Sequence, residues 1–169
     1  AGAVVSYGYD DGGRRTSMTD GRGNVTAYGY DGAGRQSSIT DALSGVVSFV
    51  YNAAGETTLV TNALGTTTSF TYNSLGLELT ATYALGNVKT RTYDSAGQFA
   101  SLTDARGNTQ SYTYDGAGRL TGLAYSGGSV TRTYDAVGRQ TAMTDATGTT
   151  SWTFDAASRV TAVSAPGGA

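Results

Sequence analysis

One motif returns along the whole chain at nearly constant spacing, and that period constrains the fold more than any other feature. Tyr114-Asp115-Gly116-Ala117-Gly118-Arg119 is its full form. Copies begin at Tyr9, Tyr30, Tyr51, Tyr72, Tyr93, Tyr134 and Phe154, so successive starts lie 21 residues apart five times and then 20 apart twice. A fixed period of this size marks a repeat array, in which each unit covers its neighbour instead of closing a core of its own. The 169 residues would otherwise suit one ordinary domain. An array has no set length, and this one is expected to be cut from a longer protein, with repeats over residues 1–165 and a linker remnant at 166–169.

Within a unit, large residues fall on every second position before the motif. Val25-Thr26-Ala27-Tyr28-Gly29-Tyr30 and Thr68-Ser69-Phe70-Thr71-Tyr72 are examples. That is the period of a strand, with a heavy face and a light one. The residue two before the repeat aromatic is itself aromatic at Tyr7, Tyr28, Phe49, Phe70, Tyr112 and Trp152, with Arg91 and Arg132 in the other two units. The Asp that follows, with Gly three further on, suits a type I turn, and Gly13, Gly34, Gly55, Gly76, Gly97, Gly118 and Gly138 accept positive φ without penalty. A second run carries an apolar residue nine after the repeat aromatic: Met18, Ile39, Val60, Ala81, Leu102, Leu123, Met143 and Val163. A second turn follows, as in Thr19-Asp20-Gly21-Arg22-Gly23-Asn24. Each unit is therefore two short strands and two tight turns, about sixteen strands in all.

An odd period would move Tyr to the other face at every repeat unless something restores the parity. Two hairpin loops of different length would do so. A four-residue loop sets Tyr30 opposite Arg35, with a cation–π contact between them, and a three-residue loop sets Met18 opposite Thr26. In the 20-residue units a two-residue loop, Ala146-Thr147, keeps Met143 opposite Thr150. At roughly 4.8 Å per strand, sixteen strands span about 75 Å, and twist is expected to curl so wide a sheet. The fold class is all-β, an array of antiparallel hairpins in a curved or spiralling sheet.

Composition removes several chemistries. A formal net charge of −2 gives no electrostatic case for nucleic acid. No apolar run reaches the roughly 20 residues of a membrane helix. The chain has no His and no Cys, so the commonest general base and the strongest nucleophile are missing, and no enzyme activity, metal or cofactor is expected. The many Asp residues read as turn-formers rather than a calcium ladder, because their spacing of ten or eleven does not fit the nine-residue calcium roll. The aromatic rows suit a packed face better than a sugar platform.

The sequences YDGAGRLTGLAYSGG and YDGAGRQSSITDALSG resemble the YD repeats of Rhs proteins, which occur also in Tc-type insecticidal toxins and in teneurins. The resemblance runs from about Val4 to Val163. Glu56, Leu77 and Gln98 depart from it, standing where the pattern has Arg. It implies a sheet that spirals into a hollow shell, here a non-catalytic structural segment enclosing a C-terminal toxin polypeptide, with neighbouring repeats of the same chain as the other partner. The alternative is an extracellular adhesion or carbohydrate-binding module with glycan partners. Either implies a secreted or cell-surface protein. Family shells of the toxin type continue into a core rich in Asp-Pro and Asn-Pro, which this chain lacks, so no self-cleavage site is carried over. For a cargo shell, the small Ser/Thr face is expected to line the cavity.

Overall fold

Runs of Val, Thr, Tyr and Phe broken by Gly-containing turns leave strands as the only regular element among the described residues, 4–167, of a computed structural model. The assigned linker at 166–169 and the start of the array lie partly outside that range. Sixteen short strands follow one another, in two compact units divided between Val88 and Lys89. The first unit holds β1 (Ser6–Tyr9), β2 (Arg15–Thr19), β3 (Val25–Tyr30), β4 (Gln36–Thr40), β5 (Val46–Tyr51), β6 (Thr57–Thr61), β7 (Thr67–Tyr72) and β8 (Glu78–Tyr83). The second holds β9 (Val88–Tyr93, starting at the boundary), β10 (Phe99–Thr103), β11 (Thr109–Tyr114), β12 (Leu120–Tyr125), β13 (Gly128–Tyr134), β14 (Gln140–Asp145), β15 (Gly148–Phe154) and β16 (Val160–Ser164). Inside each unit every strand pairs antiparallel with its sequence neighbour. This is the all-β hairpin array that the period predicts.

The face assignment holds. The apolar ninth residue sits directly opposite the residue two before the repeat aromatic: Tyr7 with Met18, Tyr28 with Ile39, Phe49 with Val60, Tyr112 with Leu123 and Trp152 with Val163. The heavy face is half-buried and the light face exposed, as the alternating accessibility of β7 and β13 shows. Each unit is a single layer. Ala81, opposite Phe70, is the one fully buried apolar side chain among the described residues. Cohesion therefore comes from cross-strand pairs along the heavy face, each contributing about 0.2–1 kcal/mol.

The second hairpin register is the expected one: Met18 faces Thr26, and Met143 faces Thr150 across the two-residue loop. The first is not. Tyr30 pairs with Gln36 rather than Arg35, while Gly29 pairs with Ser38. The two 21-residue hairpins are in fact closed by the same turn. Asp31 N–H donates to the Arg35 carbonyl and Gly34 N–H to the Asp31 carbonyl, and the bonds at Asp20, Gly23 and Asn24 match them. Parity is restored instead by a β-bulge that leaves one residue per unit unpaired, such as Ser37, Thr58, Thr121, Thr141 or Thr161. The bulge sets two consecutive residues, such as Ser37 and Ser38, opposite one position of the light face and returns the next residue to the heavy face. Three bulged threonines exchange a hydroxyl bond with the threonine before the repeat aromatic, Thr133 with Thr141 at 2.9 Å being one.

Candidate functional site: the tyrosine–arginine ladder

Each repeat aromatic is the last residue of an odd-numbered strand: Tyr9, Tyr30, Tyr51, Tyr72, Tyr93, Tyr114, Tyr134 and Phe154. The turn glycines assigned from sequence, Gly13, Gly34, Gly55, Gly76, Gly97, Gly118 and Gly138, all have φ between 76° and 93°. In that region an L side chain meets the following carbonyl, and only glycine enters freely. Where Gly is replaced, the chain still adopts the conformation: Ser44 has φ 67° and Ser158 φ 63°.

Where an Arg or Asn stands four residues after the turn Asp, both carboxylate oxygens are used. Asp31 Oδ1 accepts from the Ala33 and Arg35 N–H groups, both at 2.9 Å, and Oδ2 accepts from Arg35 Nε at 2.7 Å. Asp10, Asp115, Asp135 and Asp155 repeat this set. Turns of the second kind replace the guanidinium by an amide, Asn24 Nδ2 donating to Asp20 Oδ2 at 2.8 Å. These donors hold the carboxyls below the ordinary range. At Asp31, Asp115 and Asp155 the largest cause is the backbone N–H of the Arg four residues on; at Asp20 and Asp104 it is the side-chain amide of Asn24 and Asn108.

The arginine then reaches forward. The Arg35 guanidinium lies 4.6 Å from the Tyr51 ring centre and its Nη1 donates to the Asn52 carbonyl at 2.9 Å. Arg14 covers Tyr30, Arg119 covers Tyr134 and Arg139 covers Phe154, at 4.9, 4.8 and 4.6 Å. The expected cation–π contact therefore exists, but with the ring of the next repeat and not within one hairpin. The reason is the turn: Nε is committed to the Asp of its own turn, which aims the rest of the guanidinium across to the following unit. The phenol points back. Tyr30 donates to the Arg15 carbonyl at 2.8 Å, Tyr51 to Gln36 at 2.7 Å, Tyr72 to Thr57 at 2.7 Å, Tyr114 to Phe99 at 3.0 Å and Tyr134 to Leu120 at 2.8 Å. Tyr and Arg are thus the two halves of one inter-repeat clasp.

The central repeats use other groups. Asn52 Nδ2 donates to Glu56 at 2.5 Å, and the charges of Glu78 and Glu56, after burial, push the Tyr72 phenol up. Gln98 points along the arginine path, its Nε2 lying 3.0 Å from the place a Cβ on Gly118 would take. A further row on the heavy face went unnoticed in the sequence. Arg15 lies between Tyr7 and Tyr28, 5.7 and 4.5 Å from their ring centres, and Phe99 lies between Tyr93 and Tyr112 at 5.7 and 5.1 Å. Its members, Arg15 and Phe99, share a position but no chemistry, so no motif betrays them.

Chemically, the bonds of this ladder tie one repeat to the next or a turn to itself. Among the described residues no cluster of acidic side chains could hold a metal ion.

Comparison with known proteins agrees with this layout. The sequence pattern described as RHS Repeat matches residues 1–25, 9–46, 51–88, 93–130 and 134–169. A search of curated proteins finds no match. Among solved structures, the chain is similar to a crystal structure of TcdB2–TccC3–Cdc42, with a TM-score of 0.70, 19% identity and 92% of this chain covered. It is similar also to TcdB2–TccC3 without its hypervariable C-terminal region, with a TM-score of 0.69, 19% identity and 92% covered. The Photorhabdus luminescens Tc holotoxin pore carrying a mutated TccC3 gives a TM-score of 0.67, 19% identity and 89% covered. The match occupies 10% of each of those chains.

Proposed function

Because the chain belongs to the RHS repeat family, we propose that it is a wall segment of a toxin-related shell, a structural and non-catalytic element enclosing a polypeptide cargo outside the producing cell. The observation that carries this reading is the repeat itself. Family matches run along the chain, on a fold shared over nine-tenths of its length with the TcdB2–TccC3 structures. The clasp supports it as well, since a wall needs each strand pair fixed to the next: the phenol bonds of Tyr30, Tyr51, Tyr72, Tyr114 and Tyr134 do that, with an arginine added at Tyr30, Tyr51 and Tyr134.

The light face is the cavity side in this reading. Its hydroxyls bond one another across strands, Thr71 with Thr80 at 2.6 Å, Thr92 with Ser101 at 2.7 Å and Thr144 with Thr149 at 2.8 Å. Such a surface leaves few unmet donors to trap a cargo. The test uses the full-length protein in a cysteine-free background. Ser111 and Gln110 are both exposed and, as neighbours in β11, point to opposite faces. Ser111→Cys should resist a bulky maleimide until the protein is denatured, while Gln110→Cys reacts at once. The reverse pattern would put the heavy face inside. Equal labelling of both would remove the enclosure.

A further inference from the structure

The turns of the second kind lie side by side along one edge of the first unit, at residues 20–24, 41–45, 62–66 and 83–87. Their tips read Gly21-Arg22-Gly23, Ala42-Leu43-Ser44, Ala63-Leu64-Gly65 and Ala84-Leu85-Gly86. Three neighbouring turns thus place leucine at one position, and Leu43, Leu64 and Leu85 are 92%, 90% and 90% exposed. The turns touch: a Cβ on Gly45 would lie 3.1 Å from that of Ala63. The leucines therefore form a row, with Val46, Tyr83 and Val88 exposed at its foot. Exposed leucines scattered singly are ordinary, but an aligned row is not. No tip of the row carries an acid. Asp41 opens the Leu43 turn, while Asn62 and Tyr83 open the next two. Much of the tip main chain is already bonded. Leu43 N–H donates to Asp41 Oδ1 at 2.9 Å and Leu64 N–H to Asn62 Oδ1 at 3.0 Å. The N–H groups of Ser44, Gly65 and Gly86 donate to the carbonyls of Asp41, Asn62 and Tyr83. Such tips can leave water without stranding those donors.

We propose that this edge docks on a zwitterionic lipid surface, with the three leucines entering the acyl boundary. The leucines stand on separate protruding tips. A fluid apolar medium receives such points one by one, whereas a protein partner would need a matching groove. A second copy is poorly served as well, because three leucine tips fall short of the about 800 Å² per partner that a stable interface buries. The neighbours of the row suit a boundary between water and acyl chains. Arg22 holds the leucine position in the adjoining turn, and Tyr83 stands at the foot of the Leu85 turn. A cation on a long stem and a phenol are the side chains that settle at headgroup level. The attraction is apolar rather than electrostatic, since a net charge of −2 gives anionic lipid no advantage. The second unit offers no such row. Its three-residue tip of this kind carries Arg106, and its shorter loops are Ser126-Gly127 and Ala146-Thr147.

The test uses the full-length protein and extruded phosphatidylcholine vesicles, separated by flotation. The protein should float with the vesicles, and high salt should leave the bound fraction unchanged. Leu43→Ser/Leu64→Ser/Leu85→Ser should lose about tenfold or more in partitioning, because such binding scales with the apolar area buried. Leu75→Ser should partition like the wild type, since Leu75, 72% exposed, tips a turn on the opposite edge. All four side chains protrude into solvent, and circular dichroism confirms that the strands are retained. Leu64→Trp should add a blue-shifted emission that brominated acyl chains quench. A wild-type protein that stays out of the vesicle layer overturns the proposal. So does a triple variant that floats as well as the wild type, or binding that high salt removes. A wild-type dimer that the triple variant abolishes, with no vesicle binding by either, overturns it in favour of a second copy.

Discussion

At the scale of the residue, the turns are where side-chain identity matters most. Ser44 and Ser158 occupy left-handed positions that glycine fills in the other three-residue loops. A left-handed L residue costs about 1–2 kcal/mol, partly offset by the extra freedom glycine brings to the unfolded chain. Ser44→Gly and Ser158→Gly should each raise stability by about 0.5–1 kcal/mol, read from the denaturant midpoint at unchanged slope. Titration is a second residue-scale effect. The carboxyls of Asp31, Asp115 and Asp155 are held below the ordinary carboxylate range in the fold. A depressed acid contributes its stability above the unfolded value and loses it as pH falls toward the folded one. The melting temperature should therefore hold from neutral pH to about 4.5 and fall below about 3.9. A melting temperature unchanged down to pH 2 would show that the turn bonds contribute nothing. The sequence displayed these turns plainly, because Asp and Gly three apart carry a mechanism that works locally.

At the scale of the element, the clasp decides how firmly one hairpin holds the next. Tyr51→Phe removes the 2.7 Å bond to the Gln36 carbonyl and leaves the ring under Arg35. The expected loss is about 0.5–1.5 kcal/mol by chemical denaturation. Gln98→Arg should do the reverse. Asp94 is in place to bind Nε, Gln98 already points along the arginine path, and Tyr114 offers the next ring. A gain of about 0.5–1 kcal/mol is expected, and it should vanish in Gln98→Arg/Tyr114→Ala relative to Tyr114→Ala alone. The direction of this clasp was illegible in the sequence. Parity reasoning pairs residues within a hairpin, and it made Arg35 the neighbour of Tyr30. Two devices restore parity equally well, a longer loop or a bulge, and a bulged Thr121 or Ser37 looks like any other small residue of the light face. Only the bonds of Asp31 to Arg35, identical in kind to those of Asp20 to Asn24, separate the two.

At the scale of the whole molecule, the period alone made the all-β architecture legible, and the ninth-residue rule identified the packed face. The row holding Arg15 and Phe99 stayed hidden because it mixes charge and aromatic at one position. The most distinctive feature is how little is buried: single layers, half-covered side chains and Ala81 alone fully enclosed among the described residues. That has a calorimetric consequence. Unfolding raises heat capacity through newly wetted apolar surface, about 12–15 cal/mol/K per residue in ordinary domains, while newly wetted polar surface lowers it. Here the apolar part of that change is small, so differential scanning calorimetry should return a value clearly under about 12 cal/mol/K per residue. A value inside the ordinary range would mean that the heavy face is far drier in solution than a single layer allows. With a small heat-capacity change the stability curve is shallow, and such a sheet would hold nearly the same margin against unfolding in a cold environment as in a warm one.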